Sequence, residues 1–512
     1  MGMFIARRLV VSFFILLVST FLMFVLVANS GDPLDDLYGD NRPGRELRLA
    51  TRIEQLNLDQ PVPQRYTTWL GGVAKCAVPG QGCDLGLNVR NQDVSVLLGQ
   101  AVSSTLRLVV VATVLSILVG VGIGIVTALR QYSGFDYTVT FSAFLFFSLP
   151  VFWVAVLFKQ FLAIGVNDWY GDPSVNPIPA TIAAGLCGVA WGAIIGGDAR
   201  RTWIVRAGAS TLTLAVLLWI TWSGWVQRPS LGPAVIAVLA FGAALASTAL
   251  ISGLGNKPVL YAALATAGIG SVSQFFVTPL LQDPRWASWP TLFAALLVGL
   301  VVAAACGYLL GRLDRPQAIG VSMFTAVLTG SFIVADILLR QVPTYSRRVN
   351  GRILPTVGSE TPNLGGGFWL RQTDVVTHLF LPTLVLMVVS VAVYSRYSRA
   401  TMLETMNQDY VRTARSKGLT ERTVIMRHAF RNALIPITTL VTLDFGSVIG
   451  GAVITETVFG WPGMGRLFIN GLTETDPNPV MAFFVVTAAS VVVFNMIADI
   501  AYAYLDPRIR LS

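Results

Sequence analysis

The sequence predicts an all-α, polytopic membrane protein of about 12 transmembrane helices, and three observations carry that reading. The 512 residues are 54% hydrophobic and only 12% charged, about half the charged share of a soluble domain. Long uncharged runs recur along the chain, and ~20 mostly apolar residues suffice to cross the hydrocarbon core. The remaining charge is gathered into short stretches near the ends of those runs, where the orientation rule for membrane proteins places it.

The first span is read at about 9–28, directly behind Arg7 and Arg8. It is too long for the apolar core of a cleaved signal and no small-residue cleavage site follows it, so it reads as a retained helix with a cytoplasmic N-terminus. Further spans are read at about 104–129, 138–163, 180–197, 209–226, 233–253, 258–280, 290–310, 318–338, 378–395, 434–457 and 480–504. The short loops then predicted inside carry Arg130, Arg200/Arg201/Arg206, Lys257, Arg312/Arg315 and the segment Arg396–Arg431, followed by the tail Arg508–Arg510. Two long outside stretches, 30–103 and 339–377, are also basic, but long loops cross largely regardless of charge. This topology accounts for the net charge of +9 without nucleic acid.

The first outside stretch contains Cys76 and Cys83, closing a small loop around Pro79-Gly80. On the oxidising side of a membrane that pattern suggests a disulfide; two free thiols are the other reading. Cys187 and Cys306 fall inside apolar spans and act as small hydrophobes.

Several chemistries are missing. No Gly-x-x-x-x-Gly-Lys-[Ser/Thr] phosphate loop occurs, no Gly-x-Ser-x-Gly elbow occurs, and the two histidines, His378 and His428, have no partner at metal-ligand spacing. Neither catalytic residues nor a metal site are expected. Charges within predicted spans include Lys159, Asp336, Asp444 and Asp499. Such residues are costly in lipid and often mark pathways. Lys159 and Asp336 lie toward span ends, where snorkelling is the plain reading, and Asp499 has arginines within reach. Asp444 either lines a water-filled pathway or contacts a neighbouring subunit.

The segment Arg396–Arg431 holds eight basic residues against Glu404, Asp409 and Glu421. Within it, Tyr410-Val-Arg-Thr-Ala-Arg-Ser-Lys-Gly418 reads as a short helix stopped by glycine, and Thr420 as the N-cap of a second. The pair would form a protruding knob; an ordinary positive-inside loop has the same composition.

The specific residues go further. Gln408-Asp-Tyr-Val-Arg-Thr-Ala-Arg-Ser-Lys-Gly-Leu419, followed by Arg427-His-Ala-Phe-Arg-Asn-Ala-Leu-Ile-Pro436, closely resembles the coupling loop of the dipeptide/oligopeptide permease family of ABC importers. Arg412-Thr413-Ala414 stands where the wider importer pattern has Glu-Ala-Ala, with Gly418 at the pattern's glycine. Pro436 comes five positions later than the wider pattern's proline, and both departures resemble the peptide-permease variant. Gly450-Gly-Ala-Val-Ile-Thr-Glu-Thr-Val-Phe-Gly-Trp-Pro-Gly-Met-Gly-Arg466 and Tyr504–Arg510 resemble the family's C-terminal signature. Leu56–Pro61 with Tyr66 and Trp69, then Asp84-Leu-Gly86, resemble its first outer loop, and Ser148-Leu-Pro-Val-Phe-Trp153 its proline-broken third span.

The resemblance covers about 1–165 and 378–512, and the stretch between does not match. It implies a type-1 ABC importer permease core of six helices plus a six-helix insertion. The domains follow as 1–100 (first helix and outer loop), 101–165 (first part of the core), 166–370 (insertion) and 371–512 (second part, with the coupling loop at 396–436). An insert with an even number of spans leaves the orientation of its flanks unchanged. It reads as a lipid-facing scaffold rich in Ala and Gly, or else as a docking site for a partner or lipid.

The resemblance implies a permease subunit in a bacterial cytoplasmic membrane, both termini cytoplasmic. Its partners would be a homologous second permease, two cytoplasmic ATPase subunits, an extracytoplasmic substrate-binding protein and the bilayer. No cofactor is expected in this chain; ATP and Mg belong to the ATPase partners. The implied ATPase-coupling residues are Tyr410, Arg412, Thr413, Ala414, Arg415, Lys417, Gly418, Arg427, Arg431 and Pro436, with Asp444, Glu456 and Trp461 as pathway candidates. Substrates would be di- or oligopeptides, with nickel chelates, haem, glutathione or sugars as the cargo of relatives. The rival reading is a stand-alone carrier driven by an ion gradient through Asp336 and Asp444; a non-transporting receptor is a third.

Overall fold

The computed structural model describes residues 2–39, 42–76, 78, 80, 82–174 and 176–505, and within them every side chain except those of 2–6, 446–451 and 501–505. The basic tail Arg508–Arg510 lies outside these residues. Helix is the only extended regular element among the described residues. Eleven of the helices there are long and apolar enough to cross a membrane. The Arg431–Gly451 helix is the counterpart of the span read at 434–457 and stands outside that set.

The chain divides into two compact units. The first comprises Met1–Gln160, Thr356–Ser359 and Leu379–Ser512, the second Phe161–Pro355 and Glu360–His378.

In the first unit the Gly2–Ala28 and Pro477–Leu505 helices pack side by side, with Arg8 paired to Asp499 toward one end. Toward the other, Phe24 packs with Tyr66, Trp69 and Met481, and the Thr20 and Tyr66 hydroxyls are 2.9 Å apart. The Val94–Leu129 helix has 36 residues, so it is roughly 54 Å long and overruns a hydrocarbon core of about 30 Å. It crosses the Phe368–Met406 helix closely, since a Cβ on Gly124 would lie 2.6 Å from the Ser395 carbonyl oxygen. Small residues permit such approach between membrane helices.

One expectation for this unit is met and one is corrected. The span read at about 138–163, whose Ser148–Trp153 stretch resembles a proline-broken span, is a Gly134–Ser148 helix, an extended Leu149-Pro150 step and a second helical run from Val151. Pro150 has no N–H for the helical ladder, and its ring disfavours helical geometry at Leu149. The span read over 434–457 stops at Gly451, and a separate short helix, Val453–Val458, follows.

The second unit holds six spanning helices: Pro177–Ile195, Ala199–Trp222, Gly232–Ile251, Lys257–Gln282, Trp289–Leu310 and Arg312–Arg348. The first two form a hairpin in which Ala180, Ala184, Gly188 and Gly192 face inward at every fourth position. Arg200, Arg201 and Arg206, read from sequence as loop residues, form the first two turns of Ala199–Trp222. The reason is visible at Gly192, where an added Cβ would lie 2.5 Å from Arg206 Cγ; the arginine's aliphatic stem packs on the bare glycine. Three of the other four, Gly232–Ile251, Lys257–Gln282 and Arg312–Arg348, close on an alanine core that includes Ala240, Ala244, Ala263, Ala267 and Ala318.

The two ends of this inserted region are stitched together. Asn167 Nδ2 donates to the Leu354 carbonyl at 2.8 Å, and Leu354 N–H donates to Asn167 Oδ1 at 2.9 Å.

Candidate functional site

The helix Asp409–Ser416 is strongly two-sided. Val411 and Ala414 are buried in a cluster with Ala128, Met402, Val424, Ala429 and Ala433. Tyr410, Arg412, Thr413, Arg415 and Lys417 lie on its exposed side. Apolar anchors thus reach it from three elements: the Val94–Leu129 helix, the Phe368–Met406 helix and the run that follows.

The helix ends in a tight turn. Gly418 N–H donates to the Arg415 carbonyl at 2.9 Å and Leu419 N–H to the Ala414 carbonyl at 3.4 Å, the paired bonds of a Schellman stop. Gly418 has φ +75°, and an added Cβ would touch nothing within 4 Å. Glycine is therefore required by backbone conformation, not by crowding. Across the turn, Arg415 grips Glu421 through two bonds, Nη2 to Oε1 at 2.7 Å and Nε to Oε2 at 3.2 Å. The hydrogen bond from Arg415 holds the Glu421 carboxyl below its ordinary range.

Thr420 caps the next helix, its Oγ1 accepting Thr423 N–H at 3.4 Å. The expected second short helix is instead the leading end of a long one. Glu421–Thr423 continues as a wider π-helical stretch, Val424–Phe430, into Arg431–Gly451. Arg427 and Arg431 are exposed along this run, and Pro436 lies half-buried inside it. Inserted π turns concentrate at functional places in helices.

The segment read as a loop from Arg396 also begins later than expected, because the preceding helix continues to Met406. Arg396 lies over the rings of Phe147 and Phe144, at 4.4 and 5.4 Å from their centroids. Arg399 reaches the buried Asp136, Nε to Oδ1 and Nη2 to Oδ2, both at 2.8 Å. Asp136 also accepts Tyr132 N–H at 3.0 Å. Sequence reasoning missed this pair; Asp136, just outside the predicted span and close to Arg130, was its only signal.

The pathway candidates sit in two places. Glu456 and Trp461 are both fully enclosed. Glu456 Oε1 accepts the Thr105 hydroxyl at 2.6 Å, and its Oε2 accepts Gly465 N–H at 2.7 Å and Arg466 N–H at 3.3 Å. Trp461 Nε1 donates to the Ser104 carbonyl at 3.1 Å. The carboxylate occupies the space beside two glycines, since a Cβ on Gly463 would lie 2.4 Å from Glu456 Cδ and one on Gly465 2.9 Å from Oε2. This is the physical content of the Gly-Trp-Pro-Gly-Met-Gly run: a cradle of bare backbone around one buried carboxylate at the start of the Met464–Thr473 helix. Lys159 joins from the side, its ammonium 3.1 Å from the Val458 carbonyl, at the C-terminal end of a helix where cations are favoured. Asp444 is elsewhere, accepting the Tyr394 hydroxyl at 2.5 Å.

Asp336 is equally occupied. Its Oδ1 accepts Leu231 and Gly232 N–H at 2.7 and 3.1 Å, capping the Gly232–Ile251 helix, and its Oδ2 accepts Arg340 Nε at 2.8 Å.

At the far end of Val94–Leu129 from the coupling segment, Cys76 and Cys83 are joined by a disulfide with Cα atoms 4.3 Å apart. Residues 77, 79 and 81 of that loop lie outside the described residues. The neighbouring segment 86–90 is tied to 474–478. Val89 N–H donates to Asp476 Oδ2 at 2.7 Å, Asn478 Nδ2 donates to the Leu87 carbonyl at 2.7 Å, and Arg90 pairs with Glu474. Burial pushes the Asp476 carboxyl up to about 6. No sequence pattern pointed to this tie, whose partners are 387 residues apart.

Comparison with known proteins points to a transport family. The family described as "Binding-protein-dependent transport system inner membrane component" matches residues 318–511. The chain is 37% identical over 224 residues to the oligopeptide transport system permease protein OppB of Mycobacterium tuberculosis (strain ATCC 25618 / H37Rv), covering 42% of this chain and 69% of that protein. It is 34% identical over 250 residues to the dipeptide transport system permease protein DppB of Escherichia coli (strain K12), covering 44% and 74%. With the oligopeptide transport system permease protein AppB of Bacillus subtilis (strain 168) it shares 45% identity over 162 residues, covering 32% and 50%.

Proposed function

The chain belongs to the family of binding-protein-dependent transport system inner membrane components, as the membrane-spanning permease subunit of an ABC importer, and we propose that it carries di- or oligopeptides into the cell. The proposed assembly has a homologous second permease, two cytoplasmic ATPase subunits holding ATP and Mg, and an extracytoplasmic binding protein that delivers the substrate. Both termini of this chain would face the cytoplasm.

One observation carries the mechanism: a helix with an anchored apolar face and an exposed basic face, at Asp409–Ser416. An exposed face can receive a partner, and an anchored one transmits the partner's motion instead of absorbing it. ATP-driven closure of the ATPases would press on Tyr410, Arg412 and Lys417. The turn at Gly418 passes that push into the continuous run Glu421–Gly451, while the Arg399–Asp136 pair carries it to the Gly134–Ser148 helix. The basic side chains would orient the ATPase more than they tighten it.

The ion-driven carrier is not favoured. Asp336 has both oxygens engaged in capping a helix and pairing with Arg340, so it serves as a structural cap rather than an open ion site. For the insertion we favour the scaffold reading, since Ala199–Trp222 has no buried residue and presents apolar side chains such as Trp203, Leu212 and Trp219 outward.

The test is uptake into vesicles holding the assembled complex. Uptake should require ATP and the binding protein and should survive collapse of ion gradients; uptake that follows an ion gradient without ATP contradicts the proposal. Mass spectrometry of the ligand bound to the isolated binding protein should find peptides, and any other ligand overturns the peptide assignment alone.

A further inference from the structure

At the end of the first unit remote from the coupling segment, a cavity of about 250 Å³ lies where the first helix ends and the last begins. Its walls are largely apolar, formed by Val27, Leu34, Leu58 and Pro477. A single cationic side chain, Arg65, lines it as well.

Arg65 is one of a few arginines whose Nε is enclosed without a hydrogen-bond partner. Asp136, Asp336 and Glu456 all have their oxygens engaged, whereas Arg65 Nε is sealed from solvent with no hydrogen-bond partner. No ion pair to Arg65 is found among the described residues. Asp32 also lines the cavity, but its Oδ1 is turned to Leu34 N–H at 2.9 Å. The Phe24 ring, 5.9 Å from the guanidinium carbon, is a weak substitute for an anion. Burial works against the charge of Arg65, a cost that a bound anion would offset. A buried polar group left unpaired in a native fold calls for a missing partner, and a concave apolar site with one placed charge is the usual form of a small-molecule pocket.

We infer that this cavity binds a phosphate anion, with the Arg65 guanidinium and the Thr475 hydroxyl, both in its lining, as donors. Guanidinium is well matched to phosphate. The cavity mouth lies where Ala28 closes one span and Pro477 opens another, the level at which phospholipid headgroups meet water. The apolar walls suit the glycerol end of such a lipid, and a phospholipid headgroup is therefore the source the site favours over free phosphate.

The experiment uses the full-length chain in detergent micelles, followed by its melting temperature. It is titrated separately with dihexanoyl phosphatidylglycerol and with inorganic phosphate. Saturable stabilisation by the lipid is expected, at least tenfold weaker in Arg65→Gln. The same loss is expected in Leu58→Trp, which fills the cavity and keeps the charge, so the test survives if one variant folds poorly. Arg90→Gln, altering an arginine already paired with Glu474, should titrate as the unaltered chain does. Inorganic phosphate acting alone, with the same dependence on Arg65, assigns the site to a free anion and overturns the lipid source. Titrations that ignore both Arg65→Gln and Leu58→Trp, or no saturable response to either probe, overturn the site itself.

Discussion

Arg399 holds the buried carboxylate of Asp136 through two parallel hydrogen bonds of 2.8 Å, joining residues 263 positions apart beneath the coupling segment. Arg399 is partly exposed and Asp136 almost wholly buried, so removing the arginine leaves an unpaired interior charge. Such losses cost on the order of 3–5 kcal/mol. Arg399→Ala should lower the melting temperature and uncouple ATP hydrolysis from uptake. Arg399→Lys keeps the charge but loses the fork and should fall between. Asp136→Asn with Arg399→Gln should recover part of the stability, and a double variant as unstable as Arg399→Ala would show that the pair does not act as a unit.

Gly418 separates two kinds of substitution. Because the space around it is open, Gly418→Ala meets only the left-handed backbone penalty, about 1–2 kcal/mol. It should retain most coupled activity. Gly418→Asp adds a negative charge to the basic face as well, and should leave the protein in the membrane while abolishing substrate-stimulated ATPase activity. Equal activity in the two variants would mean that the bend is not a contact surface.

The Glu456 cradle is expected to be intolerant of volume. Gly465→Ala would place a Cβ 2.5 Å from Val453 Cα, and overpacking of this kind costs about 1–3 kcal/mol. The cost should appear as a lower melting temperature of the assembled complex. Thr105→Val removes a hydrogen bond to a buried carboxylate and should also destabilise, roughly 1.5–3 kcal/mol for a charged acceptor.

The tie between the first outer loop and the last helix should depend on pH. The folded-state carboxyl of Asp476 lies at about 6, above its ordinary value of 3.8, because burial disfavours its charge. Between those values the folded chain binds more protons than the unfolded one. Its stabilising contribution is thus complete below about 4 and is lost as pH rises through about 6, on the order of 3 kcal/mol over the interval. Thermal unfolding at pH 5 and pH 7 should show the part of that loss lying between them, about 1 kcal/mol, and this difference should shrink in Asp476→Asn. An unchanged difference in the variant would remove Asp476 as its source.

Thiol labelling checks the outer loop. Reduction should raise the labelling of Cys76 and Cys83, and labelling indifferent to reductant would rule out their bond.

The sequence revealed much of this architecture, because lipid imposes length and apolarity on every span. Six spans in the insertion were countable for that reason, and Gly418 was recognisable as a helix stop from its position alone. Helix ends were less legible. Arg200, Arg206, Arg396 and Arg399 look like loop residues by charge, yet all four lie in helices: the stem of Arg206 packs on Gly192, Arg396 lies over Phe147 and Arg399 reaches Asp136. The break at Leu149-Pro150 was legible through its proline, whereas the one at Ala452 lies within a long apolar run, where composition gives little sign of a break. Least legible were the long-range pairs. Nothing local to Glu456 names Thr105, and nothing local to Asp476 names Val89, since those contacts exist only once the helices have packed.

The most direct measurement places a photo-crosslinking amino acid at Tyr410, on the exposed face of the Asp409–Ser416 helix, in the full-length chain in its native membrane. Illumination should join it to an ATP-binding subunit, while the same group at Leu313, exposed at 99% in the inserted unit, should not. Capture of no ATP-binding subunit from position 410, or equal capture from position 313, would contradict a permease driven through this segment.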